Sequence, residues 1–194
     1  MTLFTVAEGA AILARVRERA EQITADTFVL AAGSRPRLPD VPGFEDFATR
    51  IHTSDSVMRM QHLPKSMIII GGGFVAAEFA HIFTSFGTDV TLLQRSDVLL
   101  KREDADIAQA FTEQLAQRVN VRLKQTVVGL EYTDRNTVIV ESVDPDGIHY
   151  DFEAERVLLA VGLQGGQEAV NVAGFEEHAQ VLGCRRHCAA SSRS

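Results

Sequence analysis

Ser66-Met-Ile-Ile-Ile-Gly-Gly-Gly-Phe-Val-Ala-Ala-Glu-Phe-Ala80 joins an apolar run to a helical pattern through a glycine turn of spacing G-x-G-x-x-A. Gly71 permits the tight turn, Gly73 lets the backbone approach phosphate oxygens with no Cβ in the way, and Ala76 lets the new helix pack closely on its strand. The first amides of such a helix face an anion. Three small residues recur at this spacing by chance, so the flanking sequence has to decide. Met67 to Ile70 is continuously apolar, as in a parallel strand covered on both faces. Phe74 to Phe86 places Val75, Phe79, Ile82, Phe83 and Phe86 at helical spacing, and Gly87 stops the helix. Asp89-Val-Thr-Leu-Leu93 follows as a second strand, about twenty residues after the glycines, the distance a βαβ nucleotide unit requires. The bland alternative is a glycine turn that binds nothing.

The end of the second strand separates cofactors. An acidic residue there hydrogen-bonds the adenosine ribose of NAD, whereas a basic one accommodates the extra phosphate of NADP. This chain has Gln94-Arg95-Ser96, with Lys101-Arg102 shortly after, and no carboxylate at the strand end. Arg95 offers a planar fork suited to phosphate and Lys101 a second positive charge, which points to NADPH. Asp97, Glu103 and Asp104 dilute the local positive field, and the competing reading makes these cations a solvated surface.

Composition bounds the function classes. The 194 residues, 45% hydrophobic and 23% charged, are ordinary for a folded protein with a real core. A net charge of −7 gives no electrostatic footprint for nucleic acid or an anionic membrane. No apolar run approaches a membrane span, and Glu8, Arg15, Arg17 and Glu18 interrupt the place where a signal peptide needs an apolar core, so the expected setting is a reducing cytoplasm. Two cysteines make no disulfide framework.

Along the chain, residues 1–22 have a helix-like mix without a cap or partner element. Thr27 to Ala32 reads as a strand, and Gly33 to Gly43 as an extended link in which three prolines forbid a helix. Thr53 to Met60 reads as a short helix with Ser54 or Asp55 as N-cap, and Ala105 to Gln117 as an amphipathic helix. Val121–Leu123, Thr126–Tyr132, Thr137–Val143 and Ile148–Phe152 read as short strands, with turn signals at Asp134-Arg-Asn136 and Asp144-Pro-Asp-Gly147. Arg156 to Gly162 returns as a buried strand ending in glycine.

Three stretches then carry a family resemblance. Phe28 to Gly43, Ile69 to Glu78 and Val157 to Gly162 resemble, in order, internal motifs of the flavin-dependent pyridine nucleotide-disulfide reductases. His52–Met60 and Ala76–Phe83 are most similar to its mycothione reductase branch, with lipoamide dehydrogenase, mercuric reductase and glutathione reductase as the other branches to weigh. The resemblance implies an α/β fold: a Rossmann-type NAD(P)-binding domain at 63–155, a parallel βαβ sheet plus a small antiparallel meander. Segments 23–62 and 156–162 are then remnants of an FAD-binding domain, and 163–194 an irregular tail. It implies NADPH, and FAD at an incomplete site reached by the strand ends at Gly33 and Gly162. Gly71, Gly73, Val75 and Ala76 match the family's pyrophosphate turn, and Arg95 and Lys101 its adenosine-phosphate contacts. Phe74 stands where many members place a flavin-shielding tyrosine, and Glu78 matches a glutamate near nicotinamide and flavin. The alternative for Glu78 is a surface carboxylate favoured by the helix dipole.

The departures matter equally. The family's FAD glycine motif, its C-x-x-x-x-C redox pair and its dimerisation domain with a catalytic His-Glu pair have no counterpart in this sequence. The expectation is therefore a fragment carrying the NADPH-binding part of a disulfide reductase, or a catalytically silent nucleotide-binding protein, from truncation or a shifted reading frame. Cys184-Arg-Arg-His-Cys188 is the wrong pair: three residues separate its cysteines, it lies at the other end, and with His187 and His178 it fails a zinc spacing.

Overall fold

The computed structural model describes residues 33–39, 41–43 and 50–165. The expected strand Thr27–Ala32, the N-terminal segment and the cysteine tail lie outside these residues. Two units divide the chain: Pro36–Gly162, and Met1–Arg35 with Leu163–Ser194. The link after Gly33 contributes strand β1 (Ser34–Pro36), which pairs with β10 (Leu163–Gly165) in a two-stranded sheet.

The larger unit is built on strand β3 (Ser66–Ile70), whose four apolar residues are all buried. Helix α2 (Phe74–Ser85) follows through the glycine turn and returns the chain to β4 (Asp89–Leu93), which runs parallel to β3 in register from Ser66↔Asp89 to Ile70↔Leu93. Phe86 caps the helix, and Gly87, at φ +89°, donates its amide to Thr84 O at 3.0 Å. A left-handed residue here ends the helix, and glycine takes that conformation without a Cβ penalty. The turn is then pinned to the start of β3, because the buried Thr88 hydroxyl donates to Pro64 O at 2.8 Å. Helix α3 (Ala105–Ala116) leads to β5 (Asn120–Arg122), parallel to β4.

On the opposite side of β3 the order is β2 (Ile51–Thr53), β9 (Arg156–Leu159), then β3, all parallel. The strand Arg156–Leu159, read from sequence as the return to another domain, is thus hydrogen-bonded between β2 and β3 within the nucleotide-type sheet. Helix α1 is confined to Ser54–Val57, and its N-cap is Thr53 rather than Ser54 or Asp55. The Thr53 amide donates to Ser56 Oγ at 3.0 Å, closing the first turn one residue earlier than the Ser-Asp-Ser run suggests.

The remaining strands, β6 (Thr126–Tyr132), β7 (Val138–Val143) and β8 (His149–Ala154), form an antiparallel meander. Its turns follow the residues that favour them. Asn136 and Gly147 take positive φ, and Asp144 Oδ1 accepts the amides of Asp146 and Ile148, each at 2.9 Å.

Three layers result from the twofold alternation of β3 and β9. Met67, Ile69 and Leu158 point into a core with Ala76, Ala80 and Phe83 of α2, while Ile68, Ile70, Val157 and Leu159 point into a second core with Val138 and Val140 of the meander. Each of these buried Val, Leu, Ile, Met and Phe side chains contributes about 1.5–3 kcal/mol by leaving water. Covering both faces is why β3 reads as an unbroken apolar run.

Candidate functional site: the glycine turn and the carboxyl ends of the parallel strands

The turn after β3 is shaped by backbone packing. Gly71 has φ +130°, and a Cβ built there falls 2.3 Å from Ala160 O and 2.7 Å from its carbonyl carbon. Ladder bonds hold it: Gly71 N donates to Leu93 O at 2.9 Å and Ala160 N to Ile70 O at 2.8 Å. Only glycine fits, on conformation and on space. Gly73 differs. It is the N-cap of α2, at φ −84° and ψ −178°, and a Cβ built there meets nothing within 4 Å. That vacancy at a helix N-terminus without a side-chain cap suits a ligand anion approaching the backbone. Ala76 is fully buried where α2 packs on the sheet. Val75 is partly buried, Glu78 is exposed, and Phe74 presents 48% of its surface.

The end of β4 holds a network that spacing alone did not reveal. Gln94 Nε2 donates to Ser96 Oγ at 2.7 Å, Ser96 Oγ donates on to Val98 O at 2.8 Å, and Gln94 Oε1 accepts the Arg95 amide at 3.0 Å. Gln94 is therefore occupied with its own loop. The same side chain fills the space over Gly72, where an added Cβ would lie 2.4 Å from Nε2. Leu100, at φ +52°, donates its amide to Gly72 O at 2.7 Å, so the loop carrying Arg95 and Lys101 is fastened to the glycine turn. Leu99 beside it is wholly buried and donates its amide to Thr112 Oγ1 of α3 at 3.0 Å.

Arg95 and Lys101 are both exposed, and among the described residues neither makes an ion pair. The structure brings Gly71, Gly73, Ala76, Arg95 and Lys101 to the carboxyl-terminal edge of one parallel sheet, where α/β sheets bind ligands. Gly33 lies in the other unit at φ +70°, and Gly162, at φ +127°, accepts the Arg37 amide at 2.9 Å. The sequence signal for Gly72 was present in the triple glycine, but nothing marks Leu100, an ordinary residue in a left-handed conformation.

Elsewhere, His52 on β2 is pushed below its ordinary imidazole pKa of 6.5 by burial and, second, by the nearby Arg156 charge. Its Nε2 is buried without a hydrogen-bond partner, and Nδ1 lies 3.5 Å from Ser56 Oγ. Among the described residues no helix is long and apolar enough to cross a membrane.

These features define a Rossmann-type α/β protein with an antiparallel meander. The chain belongs to the pyridine nucleotide-disulphide oxidoreductase family, whose model matches residues 2–190. It is 43% identical over 108 residues to mycothione reductase of Mycobacterium tuberculosis, covering 56% of this chain and 23% of that protein. It is 31% identical over 158 residues to a mercuric reductase of Staphylococcus aureus, covering 81% and 28%. Among solved structures, the HOCl-induced flavoprotein disulfide reductase RclA of Escherichia coli matches with TM-score 0.60 and 30% identity, over 68% of this chain and 29% of that one. An engineered water-forming NADPH oxidase bound to NADPH, a mutant of the Lactobacillus brevis NADH oxidase, shares the fold with TM-score 0.61 and 24% identity, over 73% and 32%. The chain thus spans about a quarter to a third of the length of the curated relatives it matches.

Proposed function

We propose that the Pro36–Gly162 unit binds NADPH and serves as the nucleotide-binding part of an FAD-dependent disulfide reductase, with the mycothiol disulfide as the substrate class of the whole protein. The observation that carries the cofactor choice is the strand end Gln94-Arg95-Ser96: two cations reach solvent at Arg95 and Lys101, and the residue in the ribose-binding position is an uncharged amide tied into its own loop. Substitutions in the engineered NADPH-bound oxidase support it. They are glycine to alanine and then, 18, 19, 20 and 25 residues further on, aspartate to alanine, alanine to arginine, methionine to serine and proline to arginine. At that spacing this chain carries Ala76, Gln94, Arg95, Ser96 and Lys101. The greater identity to mycothione reductase than to mercuric reductase favours the substrate class.

In this reading NADPH, when bound, supplies the hydride, and the protein supplies position and charge. Gly71, Gly73 and Val75 shape the pyrophosphate turn, Ala76 sets the helix on the sheet, and Arg95 with Lys101 holds the adenosine phosphate. Phe74 and Glu78 line the nicotinamide end, and Gly33 and Gly162 belong to the flavin side of the site. Partners of the whole protein are a small disulfide and a second subunit. The sequence carries no C-x-x-x-x-C pair, so the 194-residue polypeptide given FAD and NADPH leaves a disulfide unreduced.

Titrating the chain with NADPH and NADH, with and without Arg95→Glu, tests the reading. Tighter NADPH binding, reversed toward NADH by the substitution, is expected. Equal binding of both nucleotides by the unmutated chain, unchanged in the variant, refutes it.

A further inference from the structure

Lys124 sits two residues beyond β5 in a left-handed conformation, φ +58°, that an unbranched cationic side chain has no local reason to adopt. Its amide donates to Ser96 O at 3.0 Å, and the next amide, Gln125 N, donates to Gln94 O at 2.9 Å. Gln94 and Ser96 are the residues on either side of Arg95. The left-handed turn at Lys124 is therefore what docks the β5–β6 connection against the loop that carries Arg95. The Lys124 side chain is exposed and, among the described residues, has no ion-pair partner.

Non-glycine residues held at positive φ persist where the surroundings over-determine them, and such positions gather at ligand clamps. Leu100 on one flank of the loop and Lys124 on the other meet that description, one fastened to Gly72 and one to Ser96. We propose that Lys124 is a third cation of the adenosine-phosphate site, a specificity-determining residue that favours a nucleotide carrying a 2′-phosphate on its adenosine ribose. The proposal rests on the NADPH reading and adds to it a residue from a different strand connection.

The test uses the full 194-residue chain and two ligands that differ only in that phosphate, 2′,5′-ADP and 5′-AMP, measured by calorimetry at low salt. Lys124→Asn keeps a residue that tolerates the left-handed conformation and removes the charge. It is expected to weaken 2′,5′-ADP about threefold to tenfold while leaving 5′-AMP unchanged, with Lys124→Arg restoring the difference. The selective loss shrinks as salt is raised. Equal weakening of both ligands by Lys124→Asn assigns the residue a purely structural role and overturns the proposal. So does an unchanged ratio when Arg95→Ala lowers it. An unmutated chain that does not distinguish the two ligands brings down the NADPH reading itself, and Lys124 with it.

Discussion

Thr112 Oγ1 accepts the Leu99 amide at 3.0 Å while donating to Ala108 O at 2.7 Å, so one buried hydroxyl satisfies both the loop after β4 and helix α3. Replacing it with the isosteric valine keeps the volume and leaves a buried amide without an acceptor. Thr112→Val is expected to lower stability by about 1–3 kcal/mol. A urea melt with unchanged slope and a lower midpoint is the expected result. An unchanged midpoint means that the Leu99 amide finds another acceptor.

The two motif glycines separate folding from binding. Gly71→Ala forces a left-handed alanine against the Ala160 carbonyl and is expected to cost about 3 kcal/mol. Gly73→Val places its side chain in open space at an ordinary φ and is expected to stay within about 1 kcal/mol of the parent. Nucleotide affinity should nevertheless drop about tenfold or more in the folded Gly73→Val protein, because the branched side chain occupies the space left for the pyrophosphate. Melting and titration on the same samples check both. Undiminished affinity in Gly73→Val places the pyrophosphate elsewhere.

Acid stability has two separate windows. His52 has a folded pKa below its ordinary 6.5, so the unfolded chain binds the proton first. Its contribution is fully present above 6.5 and is lost as pH falls through the folded value. Asp144 is held below its ordinary 3.8 chiefly by the Ile148 amide, with the Tyr150 hydroxyl and the amides of Asp146 and Gly147 adding to it, so its contribution is lost only in stronger acid. Tm followed against pH should show His52→Gln flattening the upper limb alone and Asp144→Asn the lower. Superimposable upper limbs for His52→Gln and the parent contradict the assignment.

Much of this architecture is legible locally. A parallel strand buried on both faces leaves an apolar run such as Met67–Ile70, and turns that need positive φ leave residues such as Asn136 and Gly147. The glycine turn was readable for the same reason. What was not readable depends on partners distant in sequence. Nothing in Arg156–Leu159 says that it slots between Ile51–Thr53 and Ser66–Ile70, because an apolar strand is compatible with any sheet. Gln94 looked like the mere absence of a carboxylate, whereas its amide is a brace filling the void over Gly72. Leu100 and Lys124 carry no turn signature, since their left-handed backbone is imposed by bonds to Gly72 and Ser96.

The strand order sets a schedule for synthesis. Ile51 aligns with Val157, roughly a hundred residues later, and β9 separates β2 from β3, so β2 emerges from the ribosome with no neighbour to pair with. Until Arg156–Leu159 has been translated, the β2-facing edge of β3 also stands open. The nascent chain therefore exposes the apolar edge of β3 from the emergence of Ile70 until β9 follows, and chaperone occupancy should fall as β9 leaves the exit tunnel and closes the sheet.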